Sequence, residues 1–258
     1  MPTTIQYALM AAASYISTRP FNVNKFPVPD GWTEQTGNRR ALPSGFEATT
    51  FTQGTEIGIS YAGTYPGVLP GTTNGTSFGL PVDFVADLGL ATGFGSDQLL
   101  QAAQYYLDRK RENPNATITL TGHSLGGGLA ALIGVFFGRE AKTFDQAPFA
   151  NSPQFSLLRP NVAVNLKSDL LAIGYTEVEL AGLTAFLELR RDTGFNGDIP
   201  NSHLITNTNV QGEFLSSLFP IDQYATIGNP VTPILHGPTS VSGIDLHSQS
   251  LLIAFLQS

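Results

Sequence analysis

Ser124 stands in the run Gly122-His123-Ser124-Leu125-Gly126, between the β-branched stretch TITLTG (117–122) and the small-residue stretch that ends at Gly138. A hydroxyl flanked by glycines at a strand-to-helix junction suggests a backbone that turns sharply to expose a serine Oγ. There the free amides and the dipole at the helix start stabilise a developing oxyanion. Glycines are needed because side chains beside the turn would collide with strand and helix. A serine hydroxyl is weakly nucleophilic until a base takes its proton, and the base needs an orienting carboxylate. The bare spacing is common, so its meaning comes from the strand before it and the helix after it.

The expected chain order is serine, acid, histidine. His123 sits inside the turn, its side chain must point away from the serine, and a structural or supporting role is expected. His203 opens a strand and reads as a polar edge residue, while His236 lies in the loop-like PILHGPT. His247, in SGIDLHSQSLL, stands where a glycine turn leads into a terminal helix and is favoured over His236 as the base. For the acid, Glu213 ends the stretch HLITNTNVQGE, at the end of an expected strand between the serine and the late histidines. Asp145, Asp198 and Asp222 are its rivals, and Asp145 could instead cap a turn or line a pocket. Asp245 is too near His247 to orient it and reads as a helix cap. One oxyanion amide belongs to Leu125, and the second should come from the turn after an early strand.

The elements that must hold these residues alternate. Residues 4–17 have helical spacing, 19–48 read as loop, 55–64 as a strand ending in a glycine turn, and 65–82 as an exposed loop. An amphipathic helix covers 94–113, stopped by Pro114; strand 117–122, helix 125–138 and strand 141–150 follow. One or two helices lie in 166–191, a strand in 203–213 and a helix at the end. This order predicts an α/β fold: a mostly parallel central sheet with helices on both faces, in one domain over 1–258. Residues 152–202 form a helical insertion, read either as a lid or acyl-binding cap or as cover for one sheet face.

The chain has 258 residues, 41 % hydrophobic and 13 % charged, with net charge −7 and no cysteine. An average soluble protein is roughly one quarter charged, so this surface is built from uncharged polar residues. The negative charge argues against nucleic acid and against electrostatic docking on anionic lipid. Disulfides, thiolate metal sites and cysteine nucleophiles are excluded. The N-terminus lacks a basic leader pattern and reads as a first helix, and no run of about 18 apolar residues predicts a transmembrane span. No cofactor is expected, although a structural calcium held by scattered oxygens would leave no sequence signature.

TGHSLGGGLAAL (121–132) resembles the G-H-S-L-G-G-x-L-A elbow of the class 3, fungal-type lipases of the α/β-hydrolase fold. ISYAGT (59–64) is similar to their strand and oxyanion segment, VDFVADL (82–88) to the stretch that follows, and TFDQAPFAN (143–151) to the strand after the elbow helix. At Asp145 that family usually carries glycine, and at Glu213 an aspartate. The resemblance covers about 59–151. It implies Thr64 as the second oxyanion residue, with Ala62 as its alternative. It also implies a serine carboxylester hydrolase acting on acylglycerols through an acyl-enzyme, with phospholipase A1 and broad esterase activity close behind. A catalytically silent hydrolase-fold binding module is the alternative from another class. The expected partner is a lipid or other hydrophobic ester, at a lipid–water interface. The expected location is outside a bacterial cell without a classical N-terminal signal, or else the cytoplasm.

Overall fold

The computed structural model describes residues 1–15, 26–63, 94–149, 162–193, 198–213, 215, 226–230, 235–236, 246 and 248–257. Helix α1 (Thr4–Ala13) opens with a reciprocal cap: Gln6 N–H donates to Thr3 Oγ1 at 3.3 Å and Thr3 N–H to Gln6 Oε1 at 2.9 Å. Strands β1 (Thr33–Glu34) and β2 (Arg40–Ala41) are short. β3 (Glu47–Gln53) and β4 (Glu56–Tyr61) form a hairpin closed at Gly54 and Thr55, with Gly54 at φ 58°.

The structure therefore corrects the loop expected over 19–48, whose described part contains two short strands and the start of β3. Threonines disguise β3 as polar. Thr49 and Thr50 are buried with their hydroxyls bonded, Thr49 Oγ1 to Glu34 Oε1 at 2.8 Å and Thr50 Oγ1 with the Tyr105 hydroxyl at 2.7 Å.

The rest alternates as expected: α2 (Phe94–Glu112), β5 (Thr117–His123), α3 (Leu125–Phe137), β6 (Ala141–Phe144), α4 (Val162–Ala172), α5 (Ala181–Thr193) and β7 (Ile205–Thr208). They are followed by β8 (Val210–Gln211), β9 (Asn229–Pro230), β10 (Leu235–His236) and α6 (Gln249–Gln257). The main sheet runs β1-β3-β4-β5-β6-β7-β9, with β2 also on β3. Pairing is antiparallel up to β4 and parallel from β4 to β9. β8 and β10 form a separate parallel pair. The single strand expected over 203–213 is thus three pieces: a 3-10 turn at Ser202–Leu204, β7, and a β8 that leaves the main sheet after Asn209. The architecture is an α/β-hydrolase fold.

Side chains of β5 alternate between two cores. Ile118 and Leu120 face a cluster built with α2, α3, α4 and α5. On the other face Tyr7 and Met10 of α1 join Phe51, Phe144, Val210 and Leu246, together with Leu252 and Ile253 of α6. Residues 162–193 are packed into the first layer. Leu166, Leu170, Leu180, Leu183 and Phe186 are buried, and the Phe186 ring meets Phe136 of α3 edge-on at 4.9 Å. The turn between α4 and α5 is tied to α2 by Arg111–Glu179 at 2.6 Å and by the Tyr175 hydroxyl donating to Asp108 at 2.8 Å. These helices therefore pack onto α2 and α3, at the Phe137 end of α3.

Removal of one anchor of that layer tests it. Phe186→Ala is expected to cost about 3–5 kcal/mol of stability, as large-to-small changes at buried aromatics do, measured by urea denaturation. A loss within the range of an ordinary surface substitution would mean that α5 is not part of the packed core.

Candidate active site

The elbow is set by an approach too close for any Cβ. A Cβ on Gly122 would lie 2.3 Å from the Gly126 carbonyl oxygen, and one on Gly126 would lie 2.1 Å from the Tyr61 carbonyl oxygen. β4, β5 and α3 meet there backbone to backbone. Ser124, with φ 57° and ψ −126°, takes the tight corner as the N-cap of α3. Such a conformation costs a non-glycine residue of order 1–3 kcal/mol and persists only where the surroundings impose it. They do: Ser124 N–H donates to Phe144 O at 3.0 Å, and Ser124 O accepts from Gly128 at 3.1 Å and Ala147 at 3.0 Å. The first intrahelical acceptor is thus Ser124 itself, and the amide of Leu125 sits in the first turn, where helix amides lack carbonyl partners.

The turn after β4 reaches this corner. A Cβ on Gly63 would stand 3.1 Å from Ser124 Cβ and 2.7 Å from the His123 carbonyl oxygen. Ala62 N–H donates to Glu47 O at 3.0 Å. That corrects the alternative assignment of the second oxyanion amide to Ala62: its amide already belongs to the β3–β4 pairing. Thr64 lies outside the described residues.

On the opposite face of the sheet from α3, a buried polar group gathers beneath the serine. His123 Nδ1 lies 3.2 Å from the Tyr15 hydroxyl, and its Nε2 lies 3.7 Å from Asp145 Oδ2, too far for a hydrogen bond but close electrostatically. Asp145 Oδ1 accepts from Val210 N–H at 2.7 Å. Glu213, fully buried, accepts from Leu215 N–H at 2.7 Å through Oε2, and its own N–H donates to Val210 O at 3.2 Å. Burial, and then the nearby Glu213 carboxylate, push the Asp145 carboxyl well above the usual carboxylate range; the Val210 bond works against them. Tyr15 joins this group without any sequence signal, since a tyrosine at the end of a first helix reads as ordinary core.

The remaining sequence candidates fall into clear places. His203 is exposed in the 3-10 turn before β7, and Asp198, also exposed, precedes it; both lie at the opposite end of the parallel strands from Ser124. His236, expected in a loop, belongs to β10 and pairs with Gln211. Asp222, Asp245 and His247 lie outside the described residues. Leu246, the residue before His247, packs with its Cδ1 3.7 Å from where a Gly212 Cβ would stand, beside Glu213. Among the described residues no group of three or more His, Asp or Glu side chains is placed to hold a metal ion. No helix among them is long and apolar enough to cross a membrane.

The profile of a phospholipase-like family, the Tle-like phospholipase domain, matches residues 6–154. That range includes α1, the β3–β4 hairpin, the whole elbow and Asp145. The chain belongs to this family. Within the Tle-like phospholipase domain Ser124 occupies the strained corner. A stretch of 50 residues, 19 % of this chain and 9 % of its relative, is 50 % identical to the ATG15 protein of Vanderwaltozyma polyspora, carried under its name as a candidate lipase. Among solved structures, the Lip2 lipase of Yarrowia lipolytica is similar over 88 % of this chain and 76 % of its own, with 14 % identity and a TM-score of 0.46. The Rhizomucor miehei lipase in its propeptide complex is similar over 85 % of this chain, with 16 % identity and a TM-score of 0.40. This chain spans 63 % of that lipase, so both relatives extend beyond the region matched here.

Two outcomes follow from the geometry. Gly126→Ala puts a methyl group against the Tyr61 carbonyl and must push β4 and α3 apart. A large fall in melting temperature, or failure to fold, is expected in thermal denaturation, and wild-type stability would contradict the packing described. For Asp145, the raised carboxyl pKa means that the folded state favours the protonated form. The stability this contributes is complete below the unfolded value near 3.8 and is lost as pH climbs through the folded value. Asp145→Asn should therefore gain on the wild type in urea denaturation as pH rises from acid to neutral. A difference that stays constant with pH would remove this account.

Proposed function

We propose that the chain is a serine carboxylester hydrolase acting on lipid esters through a Ser124–His247–Glu213 triad. The observation that carries this reading is Ser124 held at φ 57° and ψ −126° as the N-cap of α3. An ordinary helix start gains nothing from that corner, whereas a nucleophile gains an Oγ held beside the first amides of a helix. In the mechanism, His247 removes the proton from Ser124 Oγ as it attacks the ester carbonyl. The Leu125 and Thr64 amides hold the oxyanion, and the alcohol leaves with the proton carried by His247. Water, activated by the same histidine, then releases the acid from the acyl-enzyme. Glu213 orients the imidazole and stabilises its charged form. No metal or cofactor enters these steps.

Several facts support the assignments. Gly63 abuts Ser124, which favours its neighbour Thr64 as the oxyanion residue. Leu246 packs beside Gly212, which favours His247 and Glu213 as partners. Glu213 follows the second parallel strand beyond the nucleophile strand, whereas Asp145 already serves the backbone at Val210. Among the lipid esters this reading moves phospholipids ahead of the triacylglycerols that the sequence favoured, with small esters next, and the match to a phospholipase-like family supports that order. A lipid–water interface is the expected site of action, and release from a bacterial cell belongs to the same proposal.

The test is hydrolysis of p-nitrophenyl esters of graded chain length, followed by phospholipid and triacylglycerol dispersions. Ser124→Ala and His247→Ala should each lower kcat by roughly 10⁴-fold or more, and Glu213→Ala by somewhat less. Turnover unchanged in Ser124→Ala discards the mechanism. A folded wild type that hydrolyses none of these esters would instead point to a silent binding module.

A further inference from the structure

Asp145 sits at φ 40°, in the left-handed region that glycine enters freely and other residues rarely do. A residue kept there must be held for its side chain. That side chain is fully buried, and its work lies across the sheet, 65 positions along the chain. Asp145 N–H donates to Thr208 O at 3.0 Å, and Oδ1 accepts from Val210 N–H at 2.7 Å. The residue therefore grips the backbone on both sides of Asn209, where β7 ends and β8 leaves the main sheet. Val210 is itself fully buried, and a buried amide needs an acceptor. From Val210 the bonding continues, since its carbonyl accepts from Glu213 N–H at 3.2 Å.

We propose that Asp145 is a positioning residue: its carboxyl group fixes the β7–β8 bend and thereby holds Glu213 where the orienting acid of the triad must stand. This rests on the reading of Glu213 as that acid. Glycine at 145 would relax the backbone but leave Val210 N–H with no acceptor. Asparagine keeps the acceptor oxygen and, because burial and Glu213 favour the uncharged carboxyl, imitates the native side chain closely.

The experiment compares Asp145→Gly and Asp145→Asn, each alone and combined with Glu213→Ala, with p-nitrophenyl butyrate as substrate. Amide hydrogen exchange over 205–213 is measured on the same proteins. Asp145→Gly is expected to lower kcat about 10- to 100-fold with KM changed by less than about threefold, as a misplaced catalytic group does. Exchange at Val210 and Glu213 should quicken. Asp145→Asn should remain within about threefold of the wild type in kcat and should exchange like it. In the Glu213→Ala background Asp145→Gly should cause no further loss. Unaltered exchange in Asp145→Gly overturns the proposal whatever the activity, and so does an additional loss of about tenfold on top of Glu213→Ala. If Glu213→Ala alone leaves kcat unchanged, the triad reading falls, and the positioning role falls with it. If Asp145→Gly does not fold, Asp145→Asn decides: wild-type kcat and exchange support the brace, and a fall of about tenfold in a folded protein overturns it.

Discussion

The structure depends on one close approach, the backbone of Gly126 against the Tyr61 carbonyl at the end of β4. A sheet and a helix ordinarily keep a layer of side chains between them. Here α3 comes down onto the strands with none, because neither Gly122 nor Gly126 has a Cβ to hold it off. That approach fixes where α3 begins relative to β5 and leaves one residue to make the turn. Ser124 adopts its strained backbone because the strand behind and the helix ahead allow nothing looser. The same proximity brings Gly63 against Ser124, so the turn after β4 reaches the serine without any side chain reaching for it. The strained serine and the turn that abuts it are thus two consequences of one steric fact.

The opposite face of the sheet solves a different problem. His123, Asp145 and Glu213 are buried there, and two carboxyls share a volume with little water. Ionised groups so placed are costly unless bonded or neutralised. Asp145 meets this by favouring its protonated form, while Val210 N–H occupies one of its oxygens. Glu213 has the Leu215 amide on Oε2. The two acids are therefore unequal. The one nearer the serine in sequence serves the backbone at Val210, and the one further along is the acid proposed to orient His247.

The elbow was legible in the sequence because its requirement is covalent: a turn this tight needs missing side chains, and missing side chains are visible as glycine. The parallel alternation was legible for the same local reason, from β5 through β6. β3 was not, since its buried threonines satisfy their hydroxyls with Glu34 and Tyr105, groups no local window contains. Nor was the break in 203–213, because the side chain that makes it comes from Asp145. Ala62 could be weighed as an oxyanion donor only until its amide was seen bonded to Glu47. Local rules read the elements; contacts between distant residues decided their ends.

Direction, more than distance, sorts the candidates for the triad. β4 through β9 run parallel, so whatever follows a strand lies at the serine's end and whatever precedes one lies at the other. Asp198 and His203 precede β7 and are removed by topology alone. Asp145 follows β6, and Glu213 follows β7 and β8. A parallel sheet thereby concentrates the residues just past its strands into one rim, whatever their spacing in sequence. In this chain that rim collects a strained serine, a histidine and two buried acids. The helices from 162 to 193, with their apolar surface, pack instead near Phe137, about 20 Å away along α3 at 1.5 Å per residue. Their burial stabilises the layer that holds α3, and through α3 it holds the elbow.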